Sequence, residues 1–136
     1  MTTRLVTAAG VLVSAAVHLW LWYDGFRDIA WIGPLFMLNA IAGALIAALV
    51  VWWRSWFSAL LALGFGASTL VAFLLSATVG LFGVHEILLG TWQIVAAVAE
   101  LVSIVGALVL LLRQWQAERS GLERQDRLAV RRANLH

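Results

Sequence analysis

Residues 34–82 read PLFMLNAIAGALIAALVVWW, then Arg54-Ser55, then WFSALLALGFGASTLVAFLLSATVGLF. A single polar pair separates two apolar runs, each long enough to cross about 30 Å of hydrocarbon at 1.5 Å per residue. Inside a bilayer a backbone must satisfy its own polar groups, so each run must be a helix. The very short turn makes the two helices antiparallel neighbours. Pro34 stands at a favoured helix-opening position. The second run, 56–82, exceeds the bilayer thickness and is expected to tilt or to begin outside the hydrocarbon.

Working outward, Leu5 to Tyr23 forms an earlier apolar run opened by Arg4, and Asp24-Gly25-Phe26-Arg27-Asp28 ends it. Ser14-Ala15-Ala16 gives this run some likeness to a secretory leader. The apolar stretch continues well past those small residues, so a retained first helix is expected. On the other side, 83–90 reads as a loop containing His85 and Glu86, and a fourth helix is expected from about Ile87 to Leu112. The remaining tail, 113–136, holds six Arg against Glu118, Glu123 and Asp126. It either extends the fourth helix or lies on the headgroups. The expected fold is an all-α, antiparallel up-down-up-down four-helix membrane bundle over 1–112, with spans 5–23, 34–53, 56–82 and 87–112, followed by a basic tail.

Composition supports this and excludes much else. The chain is 63% hydrophobic and 12% charged, against about 25% charged for an ordinary soluble domain. Four spans take most of the 136 residues, leaving no room for a separate soluble catalytic domain. With no cysteine, thiol redox chemistry, thiolate zinc sites and iron–sulfur ligation are excluded. A pI near 10.5 would suit a nucleic-acid binder, but the net charge is +2 and the basic residues cluster at one end, so no nucleic-acid partner is expected. All nine basic residues are Arg, which points to a GC-rich bacterial genome.

Eight of those arginines (Arg4, Arg54 and the six of the tail) fall on one side of the predicted topology. Arg27, between Asp24 and Asp28, stands alone on the other. The positive-inside rule then places both termini in the cytoplasm of a bacterial inner membrane. Trp20, Trp22, Trp31 and Trp92 fall near the outer interface, and Trp52, Trp53, Trp56 and Trp115 near the inner one, as interfacial aromatic belts.

Apolar burial gives little drive between helices in lipid, so close packing needs small residues. The third helix offers Gly64, Ser68, Ala72, Ser76 and Gly80 at four-residue spacing. The second offers Asn39, Gly43 and Ala47, with Ala40, Ala44 and Ala48 beside them. The fourth carries Glu86, Gly90, Gln93, Ala97, Glu100 and Ala107 along one face. Thr7, Ser14 and His18 share a side of the first. The third helix's stripe is equally suited to a partner protein.

Ionisable groups within a membrane cost roughly 2.5–3.5 kcal/mol at its centre on insertion scales, so each needs a reason. His18, Asn39, His85 and Glu86, with Asp24 and Asp28, gather toward the outer end. Two imidazoles and a carboxylate suit zinc, copper or non-haem iron. Two His on different helices suit axial haem ligation, and a His beside acids suits a proton relay or a quinone carbonyl. The plainer alternative is that His18 hydrogen-bonds Asn39 or a backbone carbonyl, while His85-Glu86 forms a hydrated helix cap. No His-x-x-x-His spacing singles out a metal or cofactor, so the cofactor stays undetermined at this stage.

Glu100 lies near the midplane on the face of Gln93, one heptad earlier. It is expected to hydrogen-bond Ser68, Thr69 or Ser76 across the bundle, as interhelical glue or as a proton- or ion-coupling acid. Two functional classes follow. The leading one is a non-catalytic accessory subunit or assembly factor of a larger bacterial inner-membrane complex, with a larger membrane-protein partner or a homo-oligomer. The alternative is a site-bearing protein: a proton-coupled small transporter or a metal, haem or quinone binder using the outer His/Glu cluster. A cavity reaching Glu100 would mark the second class. An enzyme is disfavoured, because no nucleophile–base pair, phosphate-cradling loop or cofactor fingerprint is present.

Overall fold

The computed structural model describes residues 1–80 and 90–133. Among these the chain forms four long helices and one 3-10 turn. Helix α1 spans Thr2–Asp24, the 3-10 turn Phe26–Asp28, α2 Ile32–Trp52, α3 Trp56–Thr78 and α4 Thr91–Ala133. Each helix contains a stretch long and apolar enough to cross a membrane. The chain is therefore a multi-pass membrane protein built as a four-helix bundle.

Helix ends follow local chemistry. Gly25, at φ +143°, ends α1, and its N–H bonds the Leu21 carbonyl. Gly33 must be glycine, since a Cβ there would fall 2.3 Å from the Arg27 carbonyl oxygen. The loop thus closes directly onto the first turn of α2, where Pro34 is tolerated. Between α2 and α3, Ser55 caps α3 by accepting from the Ser58 N–H at 3.4 Å, and Ser58 Oγ donates to the Trp53 carbonyl at 2.8 Å. Beyond Thr78, Gly80 at φ +85° turns the chain, with its N–H on the Leu75 carbonyl.

Of the expected span at 87–112, residues 87–89 lie outside the described residues, and α4 runs from Thr91. It continues unbroken to Ala133, so the charged residues from Arg113 onward extend the helix. The third span was expected to reach 82; α3 ends at Thr78.

Three helix pairs pack along their lengths: α1 with α2, α1 with α4, and α3 with α4. Helices α2 and α3 touch sparsely despite their short connection, and α1 and α3 lie diagonally. The fourth side of the bundle is thus a thin seam. One end, here the terminal end, gathers Met1, the Arg54 turn and Arg113. Arg54 Nη2 reaches Met1 Sδ at 3.6 Å, and Arg113 Nη1 donates to Thr3 Oγ1 at 3.1 Å. The buried Arg4 donates to the Val50 carbonyl at 2.9 Å and the Trp53 carbonyl at 3.4 Å, fixing the last turn of α2. Carbonyls at a helix C-terminus lack intrahelical donors, and a cation there also complements the dipole.

The packed core lies toward the terminal end, built from Ala8, Val11, Ala47, Val50, Ala59, Ala62, Phe65, Ala107 and Leu110. Small residues allow the close approach. A Cβ on Gly106 would fall 2.2 Å from Thr7 Oγ1, and one on Gly10 would fall 2.8 Å from the Ala99 carbonyl oxygen. These contacts lock α1 to α4.

Candidate functional site

Among the described residues, this core cluster does not continue to the opposite end. There the α2–α3 seam parts into a half-enclosed cavity of about 340 Å³. Its inner limit is Phe65 of α3, whose ring packs on Gly43 of α2, where a Cβ would fall 2.9 Å from the ring and 2.6 Å from the Ala15 methyl carbon. Near the loop end stand His18 and Phe36, edge to face at 5.1 Å, with Phe26 stacked on Phe36 at 5.2 Å. Leu35 and Leu38 of α2 and Ser68 of α3 line the cavity and are also exposed at the protein's surface. Among the described residues the cavity therefore reaches the surface beside the α2–α3 seam.

Glu100 lines this cavity from α4, about 14 Å along the helix from Thr91. It is 1% exposed. Its Oε1 accepts from Ser14 Oγ at 3.1 Å, and its Oε2 has no hydrogen-bond partner. The partner expected from the sequence lay on the third helix, and the structure corrects this. Ser68 and Thr69 hydroxyls instead donate to the Phe65 carbonyl of their own helix. Returning a hydroxyl proton to a preceding backbone carbonyl is the nearest choice available to a helical Ser or Thr. It removes these two groups as donors to Glu100.

Gln93 and Asn39 line the same cavity. Gln93 folds back over Gly90, where a Cβ would meet its Oε1 at 2.1 Å. Asn39 Oδ1 is buried with no hydrogen-bond partner. His18 Nδ1 lies 2.8 Å from the Ser14 carbonyl. A carbonyl only accepts, so Nδ1 carries the proton in this contact. Ser14 thus serves the site twice, through its hydroxyl to Glu100 and its carbonyl to His18.

No protein-family model, curated protein or solved structure matches the chain.

The site is accordingly read from its geometry. The structure brings His18, Asn39, Gln93 and Glu100 to one cavity, while His85 and Glu86 lie outside the described residues. Asp24 and Asp28 are exposed, with Asp28 paired to Arg27 at 3.3 Å. Among the described residues, no three His, Asp or Glu groups stand close enough to hold a metal ion.

The helix-three ladder does not act as one face. Ser76 is buried and lines the cavity, as does Ala72. Gly64 has open space where a Cβ would stand, and Ser68 is exposed. Gly80 serves as the turn described above. Helix α3 packs instead through Ala59, Ala62, Phe65, Gly66 and Thr69.

Two functional side chains escaped the sequence reading. Ser14 stood out only as a polar group on the first helix, and Arg4 only as a topological charge. A lone Arg one turn into an apolar helix, level with the end of a neighbouring span, was the available signal for Arg4. Nothing in the sequence sets the register that brings Ser14 to Glu100.

Proposed function

We propose that this chain is a site-bearing membrane protein that admits a lipophilic small molecule from the bilayer through the α2–α3 seam, with Glu100 as the polar group that receives it. Of the classes open from the sequence, a proton-coupled small transporter suits this arrangement best. The supporting observation is the cavity itself: an apolar chamber reaching a carboxyl that has one oxygen engaged and one without a partner. Membrane-buried carboxyls are costly and mark ligand or proton pathways. A carboxyl serving packing alone would have both oxygens engaged and no chamber beside it. Arginine placement supports a bacterial inner membrane with both termini cytoplasmic, so that the cavity opens toward the outer leaflet.

A panel of neutral, cationic and anionic lipophilic molecules, titrated against thermal unfolding in detergent, tests this. At least one class should raise the unfolding temperature saturably. Ala42→Trp, which fills the cavity from α2, should abolish that rise. A panel without any saturable response sinks the reading.

The accessory-subunit reading keeps one supporting observation. Gly64 and Ser68 form an exposed small-residue surface on α3 that another membrane helix could approach closely. Co-purification of stoichiometric membrane subunits from native membranes would favour it.

A further inference from the structure

We propose that the ligand of this cavity is a lipophilic organic cation bearing an N–H group, such as a protonated amine, whose charged head pairs with Glu100. This rests on the reading of the cavity as a ligand site.

The acceptors come first. Glu100 Oε2 and Asn39 Oδ1 are both buried and both lack a hydrogen-bond partner. Each unmatched buried acceptor is costly, more so in a charged group. Two unmet acceptors call for donors on the ligand. A purely apolar occupant would leave both as they are.

Charge narrows the class. Among the described residues, His18 of α1 is the one ionisable residue besides Glu100 that lines the cavity, and α2 and α3 contribute none. Arg4 and Arg54 lie at the terminal end, with Arg4 engaged by the α2 carbonyls. Arg27, near the loop end, is paired with Asp28 and does not line the cavity. Among the described residues an ionised Glu100 would therefore face no arginine, and an isolated carboxylate in an apolar setting demands a counter-charge. A cationic ligand supplies it, whereas an anionic one would add like charge.

The walls supply the remainder. A hard inorganic cation takes six or more oxygen ligands, carboxylates foremost. Here Glu100 is the one carboxyl among the described lining residues, and the Ser68 and Thr69 hydroxyls are turned to the Phe65 carbonyl. No three His, Asp or Glu groups among the described residues stand close enough to hold a metal ion. Phe36, Phe65 and Phe73 present aromatic rings to the cavity instead. Such rings attract organic cations through their quadrupoles, by about 0.5–2 kcal/mol depending on desolvation. An amphiphilic amine fits the opening beside the α2–α3 seam as well, with its apolar body in lipid or against the rings and its head at Glu100.

The test uses the full chain purified in detergent and two probes of matched shape, phenylbutylamine and phenylbutanol, with binding measured by calorimetry. The amine should bind at least tenfold more tightly than the alcohol. Glu100→Gln, which keeps size and the Ser14 contact, should bring the amine down to the alcohol's affinity, while Glu100→Asp should retain the preference for the amine. Ala42→Trp should abolish binding of both probes. Equal binding of the two probes, both lost in Ala42→Trp, overturns the cationic assignment and leaves the cavity reading standing. Absence of binding by either probe, or binding that survives Ala42→Trp, overturns the cavity reading and this inference together. The comparison in the unmodified protein decides the assignment even where Glu100→Gln fails to fold.

Discussion

Ser14 and Glu100 lie 86 residues apart in sequence and 3.1 Å apart in space, the serine hydroxyl donating to Oε1 of the acid. Both are fully or almost fully buried, and the contact joins the middle of α1 to α4. Ser14→Ala removes the one donor that the structure gives Glu100. The expected loss is about 1 kcal/mol, within the range measured for interhelical hydrogen bonds in membranes. Chemical unfolding in mixed micelles measures it; unchanged stability would mean that the carboxyl finds another donor.

The α1–α4 junction should tolerate no added bulk. A Cβ at Gly106 falls 2.2 Å from Thr7 Oγ1, while one at Gly64 meets nothing within 4 Å. Gly106→Val should therefore cost about 1–3 kcal/mol or more through forced separation of the helices. Gly64→Ala should be neutral or slightly stabilising by helix propensity. Thermal unfolding of the two variants side by side checks the contrast. Equal effects would place the tight crossing elsewhere.

Arg4 holds the last turn of α2 through two backbone carbonyls. Arg4→Met keeps much of the apolar stem and loses those bonds. Hydrogen bonds from a charged donor contribute about 1.5–3 kcal/mol, so a loss of about 2 kcal/mol is expected. Hydrogen exchange should also rise in residues 49–53. Exchange there unchanged from the parent protein would contradict the anchoring role.

Asn39 sets stability against ligand affinity. Its buried Oδ1 has no hydrogen-bond partner, and replacing an unmatched polar group by an apolar one of similar size removes that cost. Asn39→Leu should raise the unfolding temperature of the empty protein and weaken binding of a donor-bearing ligand. A variant that is both less stable and unaltered in binding would refute the assignment of Asn39 to the cavity.

Beyond Arg113, α4 is exposed along most of its length. Truncation after Glu118 should shift stability by no more than about 0.5 kcal/mol, as for surface changes generally. A large drop in unfolding temperature would show that the extension is held by contacts of its own.

The architecture was legible because the bilayer leaves few choices. Four apolar runs dictate four helices, and Arg54-Ser55 between two of them dictates their antiparallel arrangement. Glu100, Gln93, Asn39 and His18 were legible as candidates, since each is a polar group in an apolar run. Their grouping with Ser14 was not. Lipid-facing and bundle-facing sides differ little in hydrophobicity here, so the sequence constrains helix rotation weakly. The ladder on α3 shows the consequence: Gly64 and Ser68 are small yet exposed, while Ala59, Ala62 and Gly66 make the contacts. The seam was likewise hidden, because it reflects where α2 and α3 fail to pack.

The unbroken length of α4 makes it a lever as well as a wall. Its tightest approach to α1 at a glycine is at Gly106, against Thr7. From that pivot Glu100 is about 9 Å along the axis and Ala133 about 40 Å, at 1.5 Å per residue. For a straight helix, a small tilt about this point displaces the far end roughly four- to fivefold more than the carboxyl. Movements at Glu100 too slight to alter the cavity's outline would thus arrive amplified at the charged tip.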